Sequence, residues 1–288
     1  MTVSSVRLRH ARFIVAGMAL VASAAIFLLS HAYTFYFDEW TFILTAPDWT
    51  WTTYLQPHNE HPSMLFRLVY ASLLNTVGMR SYLPYMAVLL VLHAANVVLL
   101  FEVVRRRAGD AVALGAAALL MVLGAGWENL LWAFQIAWLA SVASGLSMLL
   151  ALEGRPTRRN VALAVVLAAT SLMFSGIGLM FAASAVVTLA STPERRRDVL
   201  WFVPLGIAVG LWYLVFGRSG VPANPPPTAA NIVLVPAYAL WGLGQSGAGL
   251  IGEGGAWGPP VLVAAALAVG LTWWRRKPDP MALGVLAG

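Results

Sequence analysis

Groups of three basic residues separate the long apolar runs of this 288-residue chain, and their positions constrain its fold more than any other feature. Fifteen of the 18 Lys and Arg residues fall in five such groups, each beside an apolar run: Arg7/Arg9/Arg12, Arg105/Arg106/Arg107, Arg155/Arg158/Arg159, Arg195/Arg196/Arg197 and Arg275/Arg276/Lys277. Short cytoplasmic loops of membrane proteins concentrate Lys and Arg in this way. The pattern predicts an all-α polytopic membrane protein with a cytoplasmic N-terminus.

The composition agrees with this class. Hydrophobic residues make up 60% of the chain and charged residues 10%, and the mean hydropathy is +0.76. A soluble domain carries roughly 25% charged residues, so this chain lacks the charges to cover a water-exposed surface. The absence of cysteine excludes disulfides and thiolate metal sites. The pI is near 10.1, but the basic residues flank apolar runs and form no contiguous basic face, so we expect no nucleic acid partner.

We predict about eight transmembrane helices in a single transmembrane domain, residues 1–288. They cover about 13–30, 83–104, 111–125, a fourth run ending near 152, two short runs within 160–190, then 200–216 and 260–274. The run 160–190 is placed as a hairpin turning at Ser175-Gly-Ile-Gly178, because basic groups flank both of its ends; a single tilted helix is the alternative. An apolar run that begins at Met281 leads us to expect a chain truncated at its C-terminus.

Two external loops complete the predicted topology. Residues 31–82 form the first extracytoplasmic loop, with an amphipathic interfacial helix at 63–77. Residues 217–259 form the second. Within it, residues 231–243 are placed as an external interfacial or re-entrant helix, since a crossing there would put the last basic group outside.

Asp38 and Glu39 are the strongest functional candidates, because they lie at the outer mouth of the first span among aromatic residues. Carboxylates next to hydrocarbon are costly and usually serve a task. Asp48 and Glu253 are better explained as solvated surface charges.

The turn Gln56-Pro-His-Asn-Glu-His-Pro62 brings together His58, Glu60 and His61. Its prolines favour an ordered turn over a helix. Three roles stay open for it: a hydrogen-bonded brace for the acidic site, a catalytic or substrate-binding group, or a divalent-cation site with Glu39, His58 and His61 as weak candidate ligands.

A helix over Trp127–Gln135 would place Glu128, Leu131 or Trp132, and Gln135 on one side, where carboxylate, amide and flanking rings suit a sugar. An interfacial aromatic belt is the alternative. Arg67, Arg80 and Arg218 are the remaining cations and fall outside, so an external phosphate would use some of them; snorkelling at lipid headgroups is the alternative. There is no nucleotide-binding loop.

The order of these features resembles the GT-C superfamily of membrane glycosyltransferases that use polyprenyl-phosphate sugars, close to its family-39 or protein-mannosyltransferase-like branch. The resemblance covers about residues 1–220. Actinobacterial members of that group look similar in an ordered set of motifs: Phe37-Asp-Glu-Trp40, His58-Asn-Glu-His61, Ser81-Tyr-Leu-Pro-Tyr85, Glu128-Asn-Leu-Leu-Trp-Ala-Phe-Gln135 and Ser175-Gly-Ile-Gly-Leu179.

The resemblance implies a GT-C-like fold in the bacterial plasma membrane, with the active site facing outward. It also implies a polyprenyl-phosphate sugar donor, an envelope glycan, lipid or protein acceptor, and an inverting transfer without a nucleotide. Asp38 maps to the position that acts as general base or positions the acceptor, and Glu39 to the neighbour that orients acceptor or metal. The rival function is a transporter or lipid flippase, which would place polar residues along a mid-membrane pathway; His93 and Asn96 are the main candidates.

Overall fold

The computed structural model describes residues 10–122, 126–220, 228–249, 252, 255–275 and 279–287. Five residues to which the sequence assigns a predicted role lie outside this part of the chain: Arg7, Arg9, Glu253, Arg276 and Lys277. The structure is 84% helical, and no strand occurs in the part of the chain that it describes. The prediction of an all-α protein is therefore confirmed.

Thirteen α-helices occur in the described ranges. The first seven are α1 (Ala11–Leu29), α2 (Asp38–Thr45), α3 (Met64–Thr76), α4 (Leu83–Ala108), α5 (Asp110–Met121), α6 (Trp127–Leu131) and α7 (Ile136–Glu153). The others are α8 (Arg158–Phe174), α9 (Gly178–Ala190), α10 (Val203–Val215), α11 (Ala229–Gly249), α12 (Gly258–Arg275) and α13 (Pro280–Ala287). A 3₁₀ segment, Pro193–Phe202, leads directly into α10.

Four helical segments are long and apolar enough to cross a membrane: Ala11–Ala32, Leu83–Ala108, Ala133–Glu153 and Pro193–Val215. Asp110–Met121, Gly178–Ala190 and Gly258–Leu271 are apolar but shorter. The molecule is thus a helical membrane protein by length and composition, while the number of eight spans stays a prediction.

The helix break in residues 160–190 is confirmed. Helix α8 ends at Phe174 and α9 begins at Gly178, so the single-helix alternative is wrong. Gly178 allows this close return, because a Cβ there would lie 2.4 Å from the backbone nitrogen of Leu172. Helix α3 likewise matches the amphipathic helix predicted at 63–77.

The chain forms two compact units. In the first, α7 packs on α8, α4 packs on α1, α5 and α7, and α13 packs on α9. The second contains α11 and α12, which pack on each other; α11 continues through Pro236 and is longer than the helix predicted at 231–243.

Ion pairs connect helices of the first unit at the predicted cytoplasmic end. Glu102 on α4 accepts hydrogen bonds from Arg12 on α1, at 2.6 and 2.9 Å, and from Arg105. Arg105 also donates to Asp110 at 2.9 Å, and Glu153 pairs with neighbouring arginines of α4. The basic groups therefore act inside the fold as well as at its surface.

Two polar residues inside α4 bond to neighbouring helices. His93 Nε2 lies 3.2 Å from the carbonyl oxygen of Met121, and the amide of Asn96 donates to the carbonyl oxygen of Leu139 at 2.9 Å. Both residues therefore connect α4 to a neighbouring helix through hydrogen bonds.

Candidate functional site

The first turn of α2 directs its two acids to different places. Consecutive residues on a helix point about 100° apart, so Asp38 and Glu39 cannot share one direction. Phe37, just before them, has φ +50°, which is unusual for a bulky residue and needs support from its surroundings. Asp38 consequently lines a cavity, whereas Glu39 points into the core.

Glu39 is fully buried and accepts hydrogen bonds from three donors. The Tyr70 hydroxyl donates to Oε1, the Tyr82 hydroxyl lies 3.1 and 3.2 Å from the two carboxyl oxygens, and the Tyr36 backbone N–H donates to Oε2 at 2.8 Å. Burial raises the pKa of Glu39, although the hydrogen bonds from Tyr70, Tyr36 and Tyr82 oppose it. The structure thus does not bring Glu39 to the cavity, and its geometry gives it a bracing role.

Tyr82 extends this brace to the segment after α6. Its hydroxyl accepts a hydrogen bond from the backbone N–H of Ala133 at 2.8 Å while it donates to Glu39. Burial and the negative charge of Glu39 raise the pKa of Tyr82. Helix α2, the start of α4 and residues 133–135 are thereby fixed to one another.

Asp38 lines a cavity of about 150 Å³ with side chains from four parts of the chain. The Asp38 side chain is 29% exposed, and no other acidic side chain of the described residues lines this cavity. The remaining lining residues are His58, Asn59, His61, Ser63, Phe66, Trp132, Phe134, Gln135, Ala137, Trp138, Phe174 and Ser175.

The predicted turn at residues 56–62 is confirmed. His58 and His61 exchange two backbone hydrogen bonds of 3.0 Å, and Asn59 between them has φ +51°. His58 Nε2 lies 3.5 Å from Asp38 Oδ2. Burial lowers the pKa of His58, against the opposing effect of Asp38, so the neutral imidazole is favoured. Glu60 is exposed and lies outside the cavity lining.

His61 is held against the turn between α8 and α9. A Cβ on Gly176 would lie 2.7 Å from His61 Nδ1, so this position needs glycine to admit the ring. The His61 ring also meets the edge of Trp138, with centroids 6.3 Å apart. The two sequence motifs around His61 and Gly176 are therefore parts of one contact.

Gln135 faces the Asp38 cavity with free hydrogen-bonding capacity. The residue is 8% exposed, and its Oε1 atom has no hydrogen-bond partner among the described residues. A buried amide oxygen without a partner is costly, so a ligand hydroxyl there would satisfy it.

The prediction that Glu128 and Gln135 share one helical face is wrong. Helix α6 ends at Leu131, Trp132 is extended (φ −122°, ψ 109°), and residues 133–135 form a separate 3₁₀ turn. The break is stabilised because the Ala133 N–H donates to Tyr82 and Trp132 Nε1 donates to the Tyr36 carbonyl oxygen at 3.2 Å. Glu128 is exposed and lines a second cavity of about 450 Å³, while Trp132 lines both cavities.

The three arginines predicted to lie outside, Arg67, Arg80 and Arg218, do not line the Asp38 cavity. Arg67 is 7% exposed, lies over the rings of Phe42 and Trp49 at 4.8 and 5.3 Å, and donates to the Pro57 carbonyl oxygen at 3.4 Å. Burial lowers its pKa. Arg80 and Arg218 are exposed. Their assignment to a donor phosphate stays a prediction.

The weak metal candidates Glu39, His58 and His61 are not brought together, because the Glu39 carboxylate points to Tyr70 and Tyr82. The described residues contain no group of three or more His, Asp or Glu arranged to hold a metal ion.

Comparison with protein-family models, curated proteins and solved structures finds no match for this chain. The GT-C resemblance consequently depends on the residues and motifs quoted above.

Proposed function

We propose that this protein is a membrane glycosyltransferase of GT-C type that moves a sugar from a polyprenyl-phosphate donor to an envelope acceptor. The observation that carries the proposal is the cavity at α2, which Asp38 lines together with His58, His61 and Gln135, whose Oε1 atom has no hydrogen-bond partner among the described residues. A carboxylate and an amide in a small cleft lined partly by aromatic side chains suit recognition and deprotonation of a hydroxyl group.

In the proposed reaction, the acceptor hydroxyl oxygen attacks the anomeric carbon of the donor sugar. The bond from that carbon to the phosphate oxygen breaks, and its electron pair leaves on the polyprenyl phosphate. The acceptor proton passes to Asp38, which acts as general base and sits 3.5 Å from His58. Attack opposite the leaving group inverts the configuration at the anomeric carbon.

The topology that fits this function has about eight spans, a cytoplasmic N-terminus and an outward-facing cavity in the bacterial plasma membrane. The basic groups at Arg105–Arg107 and Arg155–Arg159 then lie inside, as the positive-inside rule requires. Arg80 and Arg218 are exposed and would contact the donor phosphate.

A transporter or flippase is less well supported. It would need polar groups free to line a pathway, but His93 and Asn96 bond to the carbonyl oxygens of Met121 and Leu139. Of the buried side-chain nitrogen and oxygen atoms of His93 and Asn96, only Asn96 Oδ1 has no hydrogen-bond partner among the described residues.

The test compares the parent with Asp38→Asn and the control Asp48→Asn, which removes an exposed acid outside the cavity. Each protein is reconstituted with radiolabelled polyprenyl-phosphate sugars and a crude envelope acceptor fraction. The proposal is supported if the parent and the control transfer sugar and the rate of transfer is at least about 100-fold lower in Asp38→Asn. General bases typically contribute about 10²–10⁴-fold to a rate. Equal transfer in all three removes Asp38 from the chemistry. No transfer from any donor by a folded parent overturns the function.

A further inference from the structure

The second cavity, which we call the Glu128 groove, has a volume of about 450 Å³. Its lining comes from the segment after α1, from Tyr82, and from α6 with the residue that follows it. The lining residues are Ala32, Tyr33, Thr34, Phe35, Tyr36, Tyr82, Trp127, Glu128, Leu131 and Trp132. Five aromatic side chains other than Phe35 thus surround a single carboxylate.

Three polar side chains of the groove are free to bind a ligand, whereas the Tyr82 hydroxyl is held by Glu39 and Ala133. The hydroxyls of Tyr33 and Tyr36 and the carboxylate of Glu128 make no side-chain hydrogen bond to another described residue, and Tyr33 and Tyr36 are 45% and 62% exposed. Trp127 is 56% exposed. The groove therefore offers ring faces together with hydrogen-bond donors and acceptors.

Trp132 forms a rigid wall common to both cavities. Its ring stacks on Phe134 with centroids 5.3 Å apart and planes at 18°, and its Nε1 donates to the Tyr36 carbonyl oxygen. A side chain fixed on both sides presents a constant surface to a ligand, which lowers the entropic cost of binding.

The two cavities differ in the size of ligand they can hold. Pockets for ordinary small molecules measure about 300–1,000 Å³. The Asp38 cavity, at about 150 Å³, is smaller and suits only the reacting group, whereas the Glu128 groove falls within that range.

We propose that the Glu128 groove binds a further saccharide unit of a substrate, apart from the sugar that reacts at Asp38. The apolar C–H faces of the saccharide would stack on Trp127 and Trp132, and neighbouring hydroxyls would donate to the Glu128 carboxylate. This identification of the ligand as part of a substrate rests on the proposed glycosyl transfer, but saccharide binding is measurable without turnover.

The experiment measures binding to the full-length protein in nanodiscs by saturation-transfer NMR, with methyl mannoside, maltose and choline as separate probes. The variants are Glu128→Gln and Trp127→Ala. Their matched controls, Asp48→Asn and Trp51→Ala, change an exposed acid and a 74% exposed ring outside both cavities. Because Glu128 and Trp127 are exposed, both variants should fold.

We expect maltose to bind the parent and both controls alike. Affinity should fall about tenfold in Glu128→Gln, the size of one charge-assisted hydrogen bond, and more in Trp127→Ala. Absence of saccharide binding to the parent, or equal binding in the groove variants, overturns the inference. Binding of choline that depends on Glu128, with no saccharide bound, overturns it in favour of a cation site. A parent that binds maltose through Glu128 but transfers no sugar refutes the proposed function and leaves the saccharide site standing.

Discussion

His58 Nε2 lies 3.5 Å from Asp38 Oδ2, across a cavity in which the described residues place no second acid. The imidazole reaches this position because His58 and His61 close a turn, and the His58 ring packs against Phe42 and Phe134 with centroid distances of 5.1 and 5.3 Å. The proposed base is thus flanked by a histidine that burial keeps neutral.

The burial of His58 predicts a loss of stability in acid. Its pKa in the folded protein is lower than the value of 6.5 in an unfolded chain. Below about pH 6.5 the unfolded state therefore binds a proton that the folded state does not, and stability falls as the pH falls toward the folded-state pKa. Between pH 7.5 and 5.5, the thermal midpoint should drop less in His58→Gln than in the parent. The control His31→Gln changes an exposed histidine and should follow the parent; identical pH curves for His58→Gln and parent would refute the effect.

Glu39 should matter for folding and Asp38 for activity. Replacing Glu39 with Ala leaves the Tyr36 N–H and the hydroxyls of Tyr70 and Tyr82 without their acceptor. Each buried group left unpaired costs about 1–3 kcal/mol, so we expect at least about 3 kcal/mol of destabilisation. Asp38→Asn, at a partly exposed site, should change stability by less than about 1 kcal/mol. Denaturation in detergent measures the free energy of unfolding of both variants. Comparable destabilisation in the two would contradict a structural role for Glu39 that Asp38 does not share.

The contribution of Glu39 to folding stability should depend on pH in the opposite direction to that of His58. Burial raises its pKa above 4.5, so the folded state binds the proton more tightly than the unfolded state. Its contribution is present below about pH 4.5 and is lost as the pH rises through the folded-state pKa. Glu39→Gln should remove this pH dependence. As the pH rises, the thermal midpoint should therefore fall more in the parent than in the variant. Thermal midpoints of both proteins at pH 4, 5 and 6 test the direction of this change. A variant whose midpoint changes with pH as much as that of the parent would contradict the prediction.

Gly176 should control the position of His61. The added Cβ of Gly176→Ala would lie 2.7 Å from His61 Nδ1, so the imidazole or the turn must move. We expect transfer to fall at least about tenfold, because small displacements at a site carry large kinetic costs. Gly115→Ala in α5 is the control, since a Cβ there meets nothing within 4 Å. In a His61→Ala background, Gly176→Ala should have little further effect, whereas an additive loss would show that the two residues act independently.

Local signals predicted the parts of the site that depend on short-range backbone chemistry. Prolines mark the turn around His58 and His61, and glycines mark the break between α8 and α9. The break at Trp132 carries no such signal, since neither Gly nor Pro occurs between Trp127 and Gln135. It depends on tertiary hydrogen bonds to Tyr36 and Tyr82, far away in sequence.

Long-range pairing also explains why the charged residues were only partly predicted. The basic groups indicate the membrane topology, but nothing local shows that Arg12 pairs with Glu102, 90 residues away. Arg67 has the sequence context of an interfacial cation, yet its guanidinium lies over Phe42 and Trp49. Side-chain burial is decided by packing between helices, which a single sequence does not specify.

The absence of cysteine allows the membrane topology to be tested with single introduced thiols. Trp51→Cys, Thr228→Cys and Ala256→Cys replace exposed residues of the two predicted external loops, and Arg158→Cys replaces an exposed residue of a predicted cytoplasmic loop. In intact cells, a membrane-impermeant maleimide should label the first three, and Arg158→Cys only after permeabilisation. Labelling of Arg158→Cys but not of Trp51→Cys in intact cells would show that the orientation is the reverse of the predicted one, with Asp38 on the cytoplasmic side. If Thr228→Cys is labelled outside and Ala256→Cys only after permeabilisation, then α11 crosses the membrane and the eight-span arrangement is wrong.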